Sequence, residues 1–172
     1  MSQIELPEPK LLDIRIYPHK DLSTVCETVT EVTPEIKALI QNMFLTMYKA
    51  GGVGLSANQV GVFHRVFVMD TSASGARRRV FINPEIVKAE NLDRWKEGCL
   101  SFPEIFGFVK RAQKLRVKAL DENGEPFQMD FESIDAICFQ HELDHLNGIT
   151  FYDHLSPVQK NLIKKKIKNL KS

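Results

Sequence analysis

The sequence has few cysteines, no long hydrophobic run and almost no net charge, and each deficit excludes a class of protein. Its 172 residues include three cysteines, an odd and widely spaced set that does not suit the disulfide framework of a secreted protein. The start, MSQIELPEPK, lacks the features of signal and transit peptides, and no apolar run approaches the length of a membrane span. A formal net charge of +1 gives no general attraction to nucleic acid, so we expect no DNA binding. We expect a protein of the cytoplasm, or of the equivalent compartment of a host cell, with no membrane partner.

Neither repeats nor low-complexity linkers interrupt the sequence. We therefore expect residues 1–172 to form one domain, with a loose, proline-bearing arm at residues 1–10. Apolar residues at helical spacing predict a first helix from about residue 34 to residue 49. The same spacing predicts a second helix over about residues 134–147, with Ser133 as its N-cap.

Short β-rich runs occupy the middle of the sequence. Residues 65–70 (RVFVMD) and 80–83 (VFIN) are typical of strands. Apolar and polar residues alternate over residues 114–131 on both sides of Asn123-Gly124, which predicts a β-hairpin with one solvent-exposed face. A lysine-rich amphipathic helix is predicted over about residues 157–172. Its inward side chains are predicted to be Val158, Leu162, Ile163, Ile167 and Leu170. The expected fold is α+β: antiparallel strands packed around a central metal-binding helix, with an N-terminal helix and a C-terminal amphipathic helix.

The segment QHELDH at residues 140–145 carries the clearest chemical signal. His141 and His145 are one helical turn apart, so their imidazoles can converge on one ion. Glu142 lies one step round the helix axis, where a general base belongs. Two histidines do not complete a metal site, so a third ligand must come from elsewhere in the chain.

Three residues are candidates for the third ligand. Phe151 stands where metzincin proteases have their third histidine, and no glutamate follows Glu142. Only Asp153 and His154 can coordinate a metal downstream. Upstream, Cys99 lies in EGCLSFP, whose glycine and proline indicate a tight, shaped segment. A Cys/His/His set would leave one coordination position open for water, as catalytic sites do.

Three segments resemble the three motifs of the peptide deformylase family, in the family's order and spacing: GVGLSANQ at residues 52–59, EGCLS at 97–101 and QHELDH at 140–145. The similarity extends, more loosely, from about Leu11 to the C-terminal helix. It implies an enzyme that removes the formyl group from N-formylmethionine at the start of newly made polypeptides. Metal-bound hydroxide would attack the formyl carbon, with Glu142 acting as general base and then as general acid.

The resemblance also implies roles for residues around the metal. Cys99, His141 and His145 would hold one divalent ion, Fe²⁺ in the cell, although Zn²⁺, Ni²⁺ and Co²⁺ suit the same donors. The side-chain amide of Gln59 and the backbone N–H of Leu100 would stabilise the oxyanion that forms from the formyl oxygen.

Substrate binding is expected on three segments. Gly52, Val53 and Gly54, together with Gly98, would pair with the substrate peptide as an added strand. Glu97 either bounds the methionine pocket or braces its loop. The apolar candidates for that pocket are Val53, Trp95, Ile134, Ile137 and Cys138.

Three positions depart from the family pattern. The family usually has alanine and proline where this chain has Ser56 and Asn58, and frequently arginine where it has Phe106. None of the three is a candidate ligand. The departures therefore bear on the loop before Gln59 and on the shape of the substrate cleft.

Two other functions are compatible with the residues. One is a metalloprotease whose third ligand is Asp153 or His154. The other is a non-catalytic, ribosome-associated protein that binds RNA through its last helix. The final sixteen residues contain six lysines and no acid, which suits either docking on ribosomal RNA or a solvated helix face. Release of formate from a short formyl-methionyl peptide distinguishes both rivals from a deformylase.

Overall fold

A computed structural model describes residues 4–170, where three α-helices accompany one antiparallel sheet. The helices are α1 (Pro34–Lys49), α2 (Ser133–Leu146) and α3 (Pro157–Leu170). Short 3₁₀ helices span Lys20–Ser23, Ala57–Val60 and Phe151–His154. The strands are β1 (Gly54–Ser56), β2 (Val66–Met69), β3 (Arg79–Cys99), β4 (Phe102–Leu120) and β5 (Pro126–Glu132). The α+β prediction is confirmed.

The five strands form one sheet in chain order, β1-β2-β3-β4-β5, and every neighbouring pair is antiparallel. β3 and β4 pair from Ile82 opposite Leu120 to Cys99 opposite Phe102, with three shifts of register. The last shift lies between Gly98 and Cys99, beside the turn that joins the two strands. Such irregularities can redirect a side chain, and this one lies directly at Cys99.

Helices α1 and α2 cover opposite faces of β2. Successive strand residues point to opposite sides, so Phe67 packs in the cluster that contains Phe139 of α2, while Val68 packs in the cluster that contains Met43 of α1. All four residues of β2 are buried for this reason. The aromatic contacts on the α2 side are close, with the Phe81 and Phe139 rings 5.2 Å apart and nearly perpendicular. α2 is therefore the central, buried helix that the sequence predicts.

The first helix has the bounds that the sequence indicates. Thr33 caps it, because its hydroxyl oxygen accepts the backbone N–H of Ile36 at 3.3 Å, and Pro34 occupies the first turn. At the start of α2 the prediction is wrong, since Glu132 occupies the N-cap position and Ser133 is already inside the helix, with φ +53°.

The central hairpin is much longer than predicted. Residues 84–99 extend the expected strand at 80–83, and β4 begins at Phe102 rather than near residue 114. Residues 85–94 are exposed, so burial imposes no alternation on them that a sequence pattern could reveal. Pairing with β4 holds them instead, with surface ion pairs such as Lys118–Glu85 at 2.9 Å.

The inward face of α3 is narrower than predicted. Ile163 is 6% exposed and Ile167 packs beside it, in a cluster with Phe102 and Val109 of β4. The other three expected inward residues face out: Val158 is 70% exposed, Leu162 63% and Leu170 51%. α3 touches the rest of the chain along one line only, so a single row of side chains is covered.

The ends of the chain lie partly outside the described residues. Residues 1–3 of the expected arm and residues 171–172 of the expected last helix are not described. Residues 4–10 form neither helix nor strand, and the backbone N–H of Lys10 donates to Asn42 Oδ1 at 2.8 Å. Over the described part of the chain, no helix combines the length and the apolar character that crossing a bilayer requires.

Gly148, just after α2, offers a test of this packing. Its φ is +73°, and a Cβ added there would lie 2.6 Å from the carbonyl oxygen of Ser23. Gly51 has the same φ, but a Cβ there would meet nothing within 4 Å. We expect Gly51→Ala to cost about 1 kcal/mol of unfolding free energy, from backbone conformation alone. Gly148→Ala should cost about 1–3 kcal/mol more, because the Ser23 backbone must move. Urea unfolding of both variants measures the difference, and equal losses would contradict this packing.

Candidate metal centre and active site

Cys99, His141 and His145 bring three metal-ligating atoms together where the end of β3 meets α2. Cys99 Sγ is 3.3 Å from His145 Nε2, which is 3.2 Å from His141 Nε2. All three atoms lie within 4.8 Å of one another. Metal–ligand bonds of about 2.0–2.3 Å put tetrahedral donors about 3.4 Å apart, so the set fits a divalent ion with a fourth position open.

The local fold explains the convergence. His141 and His145 are separated by one turn of α2, and both side chains are buried. Cys99 reaches them from the irregular end of β3, at the shift of register beside Gly98. The two alternative ligands lie elsewhere: Asp153 accepts the backbone N–H of Thr150 at 2.8 Å, and His154 Nε2 pairs with Asp144 at 2.8 Å.

Glu97 fixes the orientation of His141. Its Oε1 lies 2.8 Å from His141 Nδ1, and Arg111 donates to both carboxylate oxygens, at 2.6 and 3.0 Å. Burial acts to raise the pKa of Glu97, but the hydrogen bonds from His141 and Arg111 lower it to about 2. An ionised Glu97 accepts Nδ1–H of His141, which leaves the Nε2 lone pair for a metal. Glu97 thus contacts a candidate ligand as well as lining the cleft.

The ion pairs continue from Glu97 to the surface. Arg111, itself buried, also donates one hydrogen bond to Asp144 Oδ2 at 2.6 Å, and His154 contacts the same oxygen. This network compensates the charges that are buried beside the metal-ligating atoms. Arg111 itself lies mid-strand in β4, outside the three motifs.

Glu142 belongs to the same site and carries a buried oxygen without a hydrogen-bond partner within residues 4–170. Its side chain is buried, and Oε2 has no hydrogen-bond partner among the described residues. Burial raises the pKa of its carboxyl group to about 7. The absence of a side chain at Gly54 makes room for it, since a Cβ there would be 2.6 Å from Glu142 Oε1. A carboxyl group with a pKa near neutrality can both accept and return a proton.

Gln59 turns its amide nitrogen toward the metal-ligating atoms. Its Nε2 donates to Ser101 Oγ at 3.0 Å and lies 3.6 Å from Cys99 Sγ. The Oε1 atom accepts the backbone N–H of Ser56 at 3.0 Å. Leu100, the other expected oxyanion donor, directly follows Cys99, and its side chain lies against Gly52, where a Cβ would be 2.6 Å from Leu100 Cδ1.

A cleft of about 630 Å³ opens in front of Cys99, His141 and Glu142. Every residue that the sequence analysis assigns to substrate binding lines it: Gly52, Val53, Gly54, Trp95, Glu97, Gly98, Ile134, Ile137 and Cys138. Val53 and Ile134 are each more than two-fifths exposed, so the cleft presents apolar surface to an incoming side chain. Apolar side chains from outside the motifs also line the cleft, among them Ile14, Ile16 and Ile105, and no sequence pattern points to them.

The three departures from the family pattern fall in two places. Ser56 and Asn58 are fully buried and hydrogen-bonded next to Gln59. Phe106 is 58% exposed at the rim of the cleft, with its ring against Gly98 and the ammonium of Lys96 5.4 Å from the ring centroid. The first two therefore shape the interior beside the site, and the third shapes its entrance.

Comparison with known proteins places the chain in one family. The polypeptide deformylase family model matches residues 11–161. Peptide deformylase 1 of Pseudomonas syringae pv. tomato is 48% identical over 158 residues, which are 91% of this chain and 94% of that protein. The crystal structure of the Legionella pneumophila peptide deformylase superposes with a TM-score of 0.91 at 40% identity, covering 94% of this chain and 96% of that one. The Synechococcus elongatus peptide deformylase, solved in complex with actinonin, superposes with a TM-score of 0.88 at 34% identity, covering 97% of this chain and 95% of that one.

These matches, and the Cys/His/His group beneath the cleft, exclude the protease and the non-catalytic RNA-binding interpretations. They establish a metal-dependent hydrolase that removes N-formyl groups from nascent peptides. The chain belongs to the peptide deformylase family.

Proposed function

We propose that Cys99, His141 and His145 hold the metal ion of this deformylase and that Glu142 moves the proton. The observation that supports this best is the meeting of the three donor atoms within 4.8 Å, beside a buried carboxylate oxygen that has no partner among the described residues. A divalent ion bound there supplies Lewis acidity, which polarises the formyl carbonyl and lowers the pKa of a water ligand.

Glu142 acts twice in this mechanism. Its carboxylate accepts a proton from the attacking water and then returns it to the departing amine. The pKa of about 7 suits both steps, because neither transfer is strongly uphill near neutral pH. Glu97 supports the reaction indirectly by holding Nδ1–H of His141.

The oxyanion that forms from the formyl oxygen needs hydrogen-bond donors already in place. We assign this role to the Nε2 amide of Gln59 and the backbone N–H of Leu100. Gln59 is 1% exposed and its Nε2 lies beside Cys99 Sγ, so the donor is fixed in a site from which water is largely excluded.

The substrate peptide is proposed to extend the sheet at β1. This strand lies at a sheet edge, and Gly52 and Gly54 bring backbone close to the cleft without side chains of their own. Gly98 borders the cleft from β3. The methionine side chain would enter the apolar pocket formed by Val53, Trp95, Ile134, Ile137 and Cys138. We propose that this cleft also takes actinonin, the compound bound by the Synechococcus elongatus relative.

We propose Fe²⁺ as the working ion, while Zn²⁺, Ni²⁺ and Co²⁺ remain chemically compatible with one thiolate and two imidazoles. We also propose that the enzyme works in the cytoplasm, or the equivalent compartment of a host cell, where Cys26, Cys99 and Cys138 would stay reduced, as free cysteines do there. All elements would act as one catalytic domain, because β3 and β4 contribute side chains to all three apolar clusters.

Docking on the ribosome is proposed for the outer face of α3. Ile163 and Ile167 attach this helix to β4, which leaves Lys164, Lys165 and Lys168 exposed. Clustered lysines neutralise RNA phosphates without sequence choice. Docking would raise the effective concentration of enzyme near emerging formylated chains.

The proton-transfer role predicts that Glu142→Ala abolishes turnover and spares the metal. We expect formate release from a formyl-methionyl peptide to fall by about 10²–10⁴-fold, the usual contribution of a general acid–base group. Metal content, measured by elemental analysis, should stay at one ion per chain. Glu122→Ala, at an exposed acid on the β4–β5 turn, is the control and should match the wild type. Substantial turnover by Glu142→Ala would refute the assignment.

The ligand assignment predicts that metal binding depends on Cys99 and not on Cys26. Cys26 is buried in the apolar cluster that contains Phe139 of α2, so Cys26→Ala controls for the loss of a buried thiol. We expect Cys99→Ala to lose its ion and all formate release, while Cys26→Ala keeps one ion per chain. Chelation should inactivate the wild type, and anaerobic reloading with iron, nickel, cobalt or zinc should restore it to different degrees, most with Fe²⁺. Full metal occupancy in Cys99→Ala would show that the ligand set is wrong.

The docking proposal predicts a salt-sensitive association that depends on α3. Changing Lys164, Lys165 and Lys168 to glutamate should remove co-sedimentation with ribosomes at low salt, because phosphate contacts become repulsive. Formate release from a short peptide should not change. The same number of charge reversals at exposed lysines elsewhere should leave ribosome binding intact: Lys20, Lys49 and Lys110. Retained co-sedimentation in the α3 variant would exclude this surface.

A further inference from the structure

The carbonyl oxygen of the Gln59 side chain accepts the backbone N–H of Ser56 and shares the hydroxyl proton of the same residue. The backbone N–H of Ser56 donates to Gln59 Oε1 at 3.0 Å, and the Ser56 hydroxyl lies 2.9 Å from the same atom. Both side chains are almost completely buried, at 0% and 1% exposure. Water therefore does not compete for Oε1, and protein groups must supply the hydrogen bonds that this oxygen accepts.

These bonds leave the amide of Gln59 one orientation. With Oε1 directed at Ser56, Nε2 donates toward Ser101 Oγ at 3.0 Å and toward Cys99 Sγ at 3.6 Å. A flipped amide would set its NH₂ group against the Ser56 N–H, donor against donor, and its oxygen against the Cys99 sulfur. Each mismatch would leave a buried polar group unsatisfied, which costs about 1–3 kcal/mol.

Asn58 holds the Ser56 hydroxyl in place. Asn58 Nδ2 donates to the backbone carbonyl oxygens of His145 and Thr24, so its Oδ1 must face the Ser56 hydroxyl, at 2.8 Å. The hydroxyl proton is thus shared between Asn58 Oδ1 and Gln59 Oε1. This connects the Gln59 amide to the turn of α2 that carries His145.

We propose that Ser56, held by Asn58, is a positioning residue that keeps the Gln59 N–H groups directed at the reacting carbonyl oxygen. The proposal rests on the oxyanion role assigned to Gln59 above. Ser56 itself touches no substrate atom in this account. It raises turnover because the donor is already oriented before the oxyanion forms, and no reorganisation is then needed.

If Ser56 acts through Gln59, replacing Ser56 should lower kcat only when Gln59 is present. Removing an oxyanion donor costs about 10²–10³-fold, so Gln59→Ala should lose that much. Ser56→Ala keeps the backbone donor to Oε1 and should lose only about tenfold in kcat, with KM changed less than about twofold. In the Gln59→Ala background, Ser56→Ala should have almost no further effect, since neighbours acting through one group are not additive. Metal content should remain at one ion per chain in all three variants.

Thr150 provides a matched structural control. Its backbone N–H and hydroxyl approach Asp153 Oδ2 as those of Ser56 approach Gln59 Oε1, and Thr150 is also buried. Thr150→Ala loses an equivalent hydroxyl before a 3₁₀ helix, but Asp153 does not line the cleft. We expect similar losses of melting temperature in Thr150→Ala and Ser56→Ala, and a loss of kcat only in the second.

A spectroscopic measurement tests the orientation without kinetics. In an NMR spectrum of the zinc-loaded wild type, the two side-chain N–H signals of Gln59 should be sharp and slow to exchange with water. Ser56→Ala should broaden these signals or speed their exchange. Mobile, rapidly exchanging signals in the wild type would overturn the proposal. So would an unchanged kcat in Ser56→Ala, or an equal loss with and without Gln59. If Gln59→Ala itself keeps full turnover, the oxyanion role fails instead, and the amide signals still report whether Ser56 orients Gln59.

Discussion

The structure depends on burying two imidazoles and a carboxylate on α2, inside an otherwise apolar sheet-and-helix core. Such groups cost free energy unless each polar atom finds a partner. His141 gains Glu97, and His141 and His145 both gain a cation site with Cys99. Glu142 keeps Oε2 unpaired among the described residues, and its carboxylate is the group to which we assign the proton transfer. Among the described residues, Glu142 Oε2 and His145 Nδ1 are two of the three buried side-chain polar atoms without a hydrogen-bond partner, and both belong to the candidate site. This is expected where function is maintained at the expense of stability.

The long β3–β4 hairpin supplies the compensation for that burial. Glu97 and Cys99 come from the end of β3, and Arg111 comes from the paired strand β4. One ladder thus carries a candidate ligand, the carboxylate that orients another, and the cation that balances the carboxylate. The same hairpin carries Phe102 and Val109, against which α3 packs, so the proposed ribosome-docking face and the metal centre rest on one rigid element. Gln59 is joined to α2 from the opposite side, through the Asn58 amide and the His145 carbonyl.

Much of the fold could be predicted where burial imposes a period on the sequence. α1 has the predicted bounds because one of its faces is covered throughout, and α2 is found because its apolar and metal-ligating residues share helical spacing. The sequence predicts the fold less well where burial imposes no periodic pattern on the residues. Residues 85–94 are exposed on a strand whose existence depends on pairing with β4, and α3 covers one row of side chains where its amphipathic pattern predicts a broad face. Ser133 has the chemistry of an N-cap, yet the strand that precedes it, β5, moves that position to Glu132.

The sequence by itself determined the family, and it predicted the ligand types and a candidate general base, because the spacing of His141, Glu142 and His145 is a local property of one helix. The residues alone left the third ligand open among three candidates, and the family resemblance predicted Cys99. Only the tertiary structure decided that Cys99 meets the two histidines, that Glu97 and Arg111 orient and balance them, and that Ser56 and Asn58 hold Gln59. The reason is physical: the contacts of Gln59 with Cys99, of Glu97 with His141 and of Asn58 with His145 join residues some forty to ninety positions apart. Their geometry follows from strand register and helix packing, which no short stretch of sequence encodes.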